Sequence, residues 1–183
     1  GFIDGHIHIE STMLTCPEFA KTAVSHGTTA VIADPHEIAN VSGKDGLRYM
    51  IESSEGLPLT VYFVIPSCVP ATSFDESGAV LSADDIEEFY SESRVLGLGE
   101  VMNYVGVVAG DGELEKKIKS ALSRGLVVNG HAPLLSGKPL DKYISAGIGD
   151  DHECSSADEA KERIRKGQRI MIRQGTAARN LSG

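Results

Sequence analysis

Seven short apolar runs, each parted from the next by a longer amphipathic stretch, narrow the folds open to this chain to very few. The runs are Phe2–Ile9, Thr28–Ala33, Leu59–Ile65, Val95–Val101, Leu126–His131, Ile148–His152 and Arg169–Arg173. Several are almost continuously apolar, the pattern of strands covered on both faces, and such strands joined by helices make parallel sheets with right-handed crossovers. The spacing predicts helices over Pro17–His26, Lys44–Ser54, Ser82 to about Ser93, Gly112–Arg124, Leu140–Ala146 and Ser155–Lys166, with one more beginning over Ala177–Leu181. Local punctuation agrees. Gly27, Gly125, Gly147 and Gly167 each stand just past a predicted helix end, and Ser82 precedes Asp84 and Asp85 as a cap precedes an acidic first turn.

An open doubly wound sheet and a (β/α)8 barrel both satisfy this alternation. No Gly-x-Gly-x-x-Gly follows the first run, and polar residues gather after nearly every run, as at the C-terminal rim of a barrel. The expectation is an α/β chain forming a partial (β/α)8 TIM-like barrel of about seven parallel strands, with strand 8 missing. Residues 1–183 read as one incomplete catalytic barrel without linker or low-complexity segment. The chain opens on an apolar strand and not on Met, so it reads as a piece of a larger protein.

The rim is where the chemistry collects. Run 1 ends in His6, His8 and Glu10; run 2 in Asp34, His36 and Glu37; run 3 in Ser67 and Cys68. Run 4 ends in Glu100 and Asn103, run 5 in His131, run 6 in Asp151, His152 and Glu153, and run 7 in Arg173 and Gln174. Side chains two apart on a strand share a face, so His6 and His8 project together. Of the six histidines only His26 falls at a predicted helix end, where a polar or cationic group suits the dipole. Imidazoles with a carboxylate at strand ends can hold one or two divalent cations. Glu100, the one acid closing an otherwise apolar strand, is the natural bridge; a rim carboxylate paired with an Arg is the plainer alternative.

Composition excludes other classes. A length of 183 residues with 41% hydrophobic content supports one sizeable core. The net charge of −9 and the lack of any Lys/Arg-rich run argue against nucleic-acid and anionic-membrane partners, as do 5% aromatics without Trp. No stretch approaches the roughly 20 apolar residues of a membrane span. Cys16, Cys68 and Cys154 are odd in number and form no Cys-x-x-Cys pair, so a reducing, cytoplasmic setting is expected.

The order His-x-His on strand 1, an acid on strand 4, and a His on each of strands 5 and 6 resembles the amidohydrolase superfamily. The longer runs GFIDGHIHIEST, ADPHEIANV, PSCVPAT, GLGEVMN, GHAP and DHECSSADEA resemble, within it, the adenine deaminases of bacteria and archaea, over nearly the whole chain. The resemblance implies hydrolytic deamination of adenine to hypoxanthine and ammonia, by a metal-activated hydroxide attacking C6. It implies two divalent metal ions, Mn or Fe with Zn possible, at His6, His8, Glu100, His131 and His152. It also implies an eighth strand bearing an aspartate ligand, a β-sandwich and a C-terminal domain, all absent from this chain, and association into homo-oligomers.

For the remaining residues alternatives stay open. Glu153 is a candidate proton carrier, or an acid favouring the helix after it. Asp34 and His36 are expected to orient His6 or His8, or to form an extra metal position; Pro35-His36-Glu37 shaping its loop is the plainer reading. Ser67, Cys68, Asn103 and Gln174 are expected along the purine pocket. The family commonly has Glu at position 174, and Gln can hydrogen-bond to the base but not shuttle protons. Another amidohydrolase activity, on a cyclic amide or a different nucleobase, and a non-catalytic barrel fragment are the competing readings.

Overall fold

The structure is a computed structural model that describes residues 1–175 and 178–181. Seven strands alternate with helices along the chain, in the order β1 (Phe2–Ile7), α1 (Cys16–Ser25), β2 (Thr28–Ala33), α2 (His36–Ser53), β3 (Thr60–Ile65), α3 (Ala83–Glu87), β4 (Val95–Val101), α4 (Tyr104–Ala109), α5 (Gly112–Ser123), β5 (Val127–Gly130), α6 (Gly137–Ser145), β6 (Asp150–Asp151), α7 (Ala157–Arg165) and β7 (Arg169–Ile170). Strands β1 to β5 form one parallel sheet in sequential order, and β6 pairs in parallel with β7. The two sheets meet where Gly149 N donates to Val128 O at 3.0 Å.

Sequential order is the order of a barrel; a doubly wound sheet would reverse at a switch point. The curl is visible at both ends. A Cβ on Gly5 of β1 would stand 3.2 Å from Met171 Sδ, just past β7, and the His6 ring stacks on the His152 ring with centroids 3.8 Å apart. The partial barrel expected from the alternation is what forms. Its core joins strand residues such as Val31, Phe63, Ile65, Leu98 and Val128 to helix residues Ala20, Leu47, Ile86, Ile118 and Tyr143, all buried.

Several boundaries differ from the sequence-based expectation. Helix α2 begins at His36, not Lys44, and Gly43 (φ 57°, ψ −134°) interrupts it. A Cβ at Gly43 would also stand 3.0 Å from the Ala79 Cβ, because the loop after β3 docks at this kink through Gly78 N to Asn40 O (2.7 Å). The periodicity restarts after the kink, so only the second half of the helix was legible. Helix α4, capped by the Asn103 side chain on Gly106 N, was not anticipated. Strand β7 ends at Ile170 and not at Arg173. Arg179 bridges antiparallel to Gln174, so the helix expected over Ala177–Leu181 is not found at residues 178–181; Ala177 lies outside the described residues. Among the described residues β1 pairs only with β2, and Phe2 and Ile3 remain exposed despite their apolar character.

Candidate metal centre

The barrel topology brings one carboxylate into the middle of four strand ends. Glu100 sits in β4 with 3% of its surface exposed, and its two oxygens face different partners. Oε1 lies 3.1 Å from His36 Nδ1 and 3.4 Å from His8 Nε2. Oε2 lies 2.6 Å from His131 Nδ1, 2.9 Å from His152 Nε2 and 3.8 Å from His6 Nε2. Three overlapping sets of side chains could each hold a cation, with ligand atoms within 4.8 Å of one another: His6, His8 and Glu100; Glu100, His131 and His152; and His8, Asp34 and His36. Glu100 and His8 each belong to two of these sets, and Glu100 alone joins the His6–His8 pair to the His131–His152 pair.

Several of these side chains have their own support. His8 Nδ1 donates to the Asp34 carbonyl at 2.8 Å, which leaves Nε2 as the lone-pair nitrogen of the neutral ring. That nitrogen faces His6 Nε2 across 3.1 Å. Asp34, wholly buried, accepts from Glu100 N through Oδ2 at 2.8 Å. Gly99 permits this approach, since a Cβ there would stand 2.3 Å from Asp34 Oδ2. The Glu100 carbonyl accepts from Ser67 Oγ at 2.6 Å. Tyr143 Oη of α6 accepts from His131 N at 2.9 Å and donates to Val101 O at 2.7 Å.

The electrostatics suit a cation. Burial, reinforced by the nearby His152, lowers the His6 pKa to about 3, so this ring is neutral and its nitrogen free to donate a lone pair. Burial opposes charge on His36 too, yet the Asp34 and Glu100 carboxylates outweigh it and raise its pKa to about 10. Burial likewise opposes charge on Glu100, and hydrogen bonds from His131, His152 and His36 overcome it, holding the carboxyl well below its ordinary range. Five imidazoles thus surround a carboxylate that stays ionised. Asp34 Oδ1, fully buried, has no hydrogen-bond partner among the described residues and lies 3.6 Å from His36 Nδ1. Neutral imidazole and carboxylate are the donors of Zn, Mn and Fe sites, so this set fits divalent cations once the protons that the carboxylates draw onto His36 and His131 are released.

The other anticipated residues divide. Glu153 turns towards the cluster, with Oε1 3.5 Å from His152 Nε2 and 3.7 Å from His131 Nδ1, and Arg173 grips it through both terminal nitrogens at 2.6 and 3.2 Å. Ser67 is 1% exposed and its hydroxyl is committed to the Glu100 carbonyl, so it supports the carboxylate from behind. Asn103 Oδ1 is committed to its helix cap. Gln174 is exposed beside Arg179. Glu37 bonds Ser11, and Glu10 accepts from Ile38 N at 3.3 Å, so these two acids tie the loops after β1 and β2 together. Tyr143, Arg163 and Arg173 escaped sequence reasoning as supporting residues. Arg173 alone carried a signal, as a strand-end cation near an unpaired strand-end acid.

Comparison with known proteins agrees with this geometry. The chain is 55% identical over 181 residues to the adenine deaminase of Clostridium acetobutylicum, covering 99% of this chain and 32% of that protein. It is 52% identical to adenine deaminase 2 of Carboxydothermus hydrogenoformans (99% and 31%) and 52% identical to the adenine deaminase of Methanothermobacter thermautotrophicus (99% and 34%). The chain spans about a third of the length of these curated relatives. The profile of the amidohydrolase family matches residues 1–178. A parallel partial barrel with candidate ligand side chains gathered at the strand ends, matched by that profile over almost its full length, belongs to the amidohydrolase family.

Proposed function

We propose that this chain supplies most of a metal centre for the hydrolytic deamination of adenine, with water replacing the amino group at C6: the C6–N bond breaks, a C6–O bond forms, and hypoxanthine and ammonia leave. The observation that carries the reading is the division of the Glu100 oxygens between two groups of imidazoles, in a chain whose relatives bear the name adenine deaminase. His6, His8, Glu100, His131 and His152 would hold two divalent ions, Mn or Fe, with Zn also compatible. When bound, such ions lower the pKa of a coordinated water to about 7 and so supply a nucleophile near neutral pH.

The chain's own residues do the rest. Glu153 stands beside His131 and His152 with its orientation fixed by Arg173, where it can carry a proton from the attacking water to N1 or to the departing nitrogen. Asp34 holds Glu100 by its backbone and fixes the His8 tautomer. His36 rests against the same Glu100 oxygen as His8 and can donate a hydrogen bond to the reacting oxygen. Asn103, whose Oδ1 caps its helix, and Gln174 would meet the base, with Ser67 acting through Glu100. A Gln at 174 can recognise a ring nitrogen but cannot exchange protons with it.

The test is metal dependence. The full-length protein, stripped of metal and restored with Mn, Fe or Zn, should release ammonia from adenine only when restored. Activity on hydantoin, dihydroorotate or cytosine in place of adenine would keep the metal centre and overturn the substrate. Activity of the stripped protein equal to that of the restored one would overturn both.

A further inference from the structure

We propose that the buried Asp151–Arg163 pair is the positioning device of the His131–His152 side of the centre, setting metal affinity beyond what it contributes to stability. The inference rests on the metal-centre reading above. Asp151 of β6 and Arg163 of α7 are both wholly buried. Asp151 Oδ2 accepts from Ala132 N at 3.0 Å, and Oδ1 accepts from Glu153 N at 2.7 Å. Ala132 directly follows His131, and Glu153 directly follows His152. One carboxylate therefore holds the backbone just past two ligands on two different strands. Arg163 Nε lies 3.5 Å from Asp151 Oδ2, and an Arg163 terminal nitrogen donates to Ala132 O. Both polar backbone groups of Ala132 are thereby fixed.

The sheet cannot do this work. Strand β5 ends at Gly130 and β6 at Asp151, so His131 and His152 both lie one residue beyond the last residue of their strands. Stability alone is a poor account of the pair. A buried ion pair gains little over apolar residues of similar volume, because desolvation cancels most of the attraction. This one also leaves Arg163 Nε and Nη1 without hydrogen-bond partners among the described residues, Nε meeting Asp151 only as an ion pair at 3.5 Å. What the pair does supply is a fixed distance between the two ligand-bearing chain segments. Groups that orient metal ligands typically change affinity about 10–100-fold when removed.

The experiment is Mn2+ titration of the metal-stripped full-length protein by calorimetry, beside the melting temperature of the metal-free form. The variants are the double replacement Asp151→Ala with Arg163→Met, and the isosteric Asp151→Asn, which keeps one acceptor oxygen. The double variant, which leaves the Ala132 and Glu153 N–H groups without their acceptor, is expected to melt below wild type, while one of its Mn2+ equivalents binds at least tenfold more weakly and the other is unchanged. Asp151→Asn should weaken the same equivalent, and it carries the test if the double variant does not fold. Wild-type Mn2+ affinity in either folded variant would overturn the inference. So would affinity that merely follows melting temperature across the set, since that is what a structural role alone produces. A wild-type protein that takes up no Mn2+ would overturn the metal-centre reading itself, and this inference with it.

Discussion

The two sides of Glu100 are built by different means. On the side of β1 and β2, the strands are six residues each; His6 lies within β1, where the register shifts between Asp4 and Ile7, and His8 lies one residue past its end. There the backbone itself does the orienting, through the Asp34 carbonyl on His8. On the side of β5 and β6, the strands are four and two residues long, and the ligands lie beyond them. There buried side chains replace the ladder: Tyr143 from α6, Asp151 at the strand end, and Arg163 from α7. A short strand can carry a ligand as precisely positioned as a long one, provided that a helix behind it contributes polar groups. Tyr143 is satisfied on both sides, whereas Arg163 leaves Nε and Nη1 without partners among the described residues, and an unpaired buried polar group costs about 1–3 kcal/mol.

The largest effect should come from the residue that both sides share. Glu100→Ala removes the common carboxylate, and metal uptake on both sides should fall by more than the roughly 100-fold that a supporting residue commands, read as metal equivalents retained after dialysis. Loss confined to one side would break the bridging assignment. Gly99→Ala is next. Its Cβ would meet Asp34 Oδ2 at 2.3 Å and Ile65 O at 3.1 Å, neither of which is a flexible side-chain end free to withdraw. Overpacking of this kind costs about 1–3 kcal/mol. For a chain of this size that is a fall in melting temperature of about 2–4 °C per kcal/mol. It should also disturb the β1–β2 side before the other.

Tyr143→Phe sharpens the contrast from the opposite side. It leaves His131 N without an acceptor and Val101 O without a donor. A loss of about 2 kcal/mol is expected in a denaturant melt, together with weaker metal binding on the β5–β6 side only. Divalent metal should stabilise the intact protein by mass action, about 2.7 kcal/mol at a hundredfold excess over Kd, and an unchanged melting temperature on adding Mn2+ would contradict a site in the folded state. The smallest effect belongs to a surface pair far from this architecture. Lys21→Ala removes the exposed bridge to Glu18 (2.6 Å) and should change stability by no more than about 0.5 kcal/mol.

Much of this was readable along the chain. The apolar runs marked β1 to β5 to within about two residues, because strands covered on both faces need no partner to declare themselves. The strand-end histidines were readable too, since an imidazole at or near the end of an apolar run stands in a recognisable place. His36 was harder. It opens a helix whose periodicity is interrupted at Gly43, so local pattern put the helix start eight residues late. Arg163 was invisible as a supporting residue, because in sequence it is one more cation on an amphipathic helix with a basic last turn.

Local chemistry along the chain was enough to settle strand order of appearance, the absence of a Gly-rich dinucleotide turn, and which residues could donate to a metal, because each of these depends on neighbours a few positions away. Which oxygen of Glu100 faces which imidazole, that Glu153 turns inward against Arg173, and that Arg163 is buried at Asp151 came from packing alone. The reason is range. Asp34 reaches Glu100 across 66 positions, and Arg163 reaches Ala132 across 31. Contacts at such separations exist only once the sheet has curled and the helices have closed behind it.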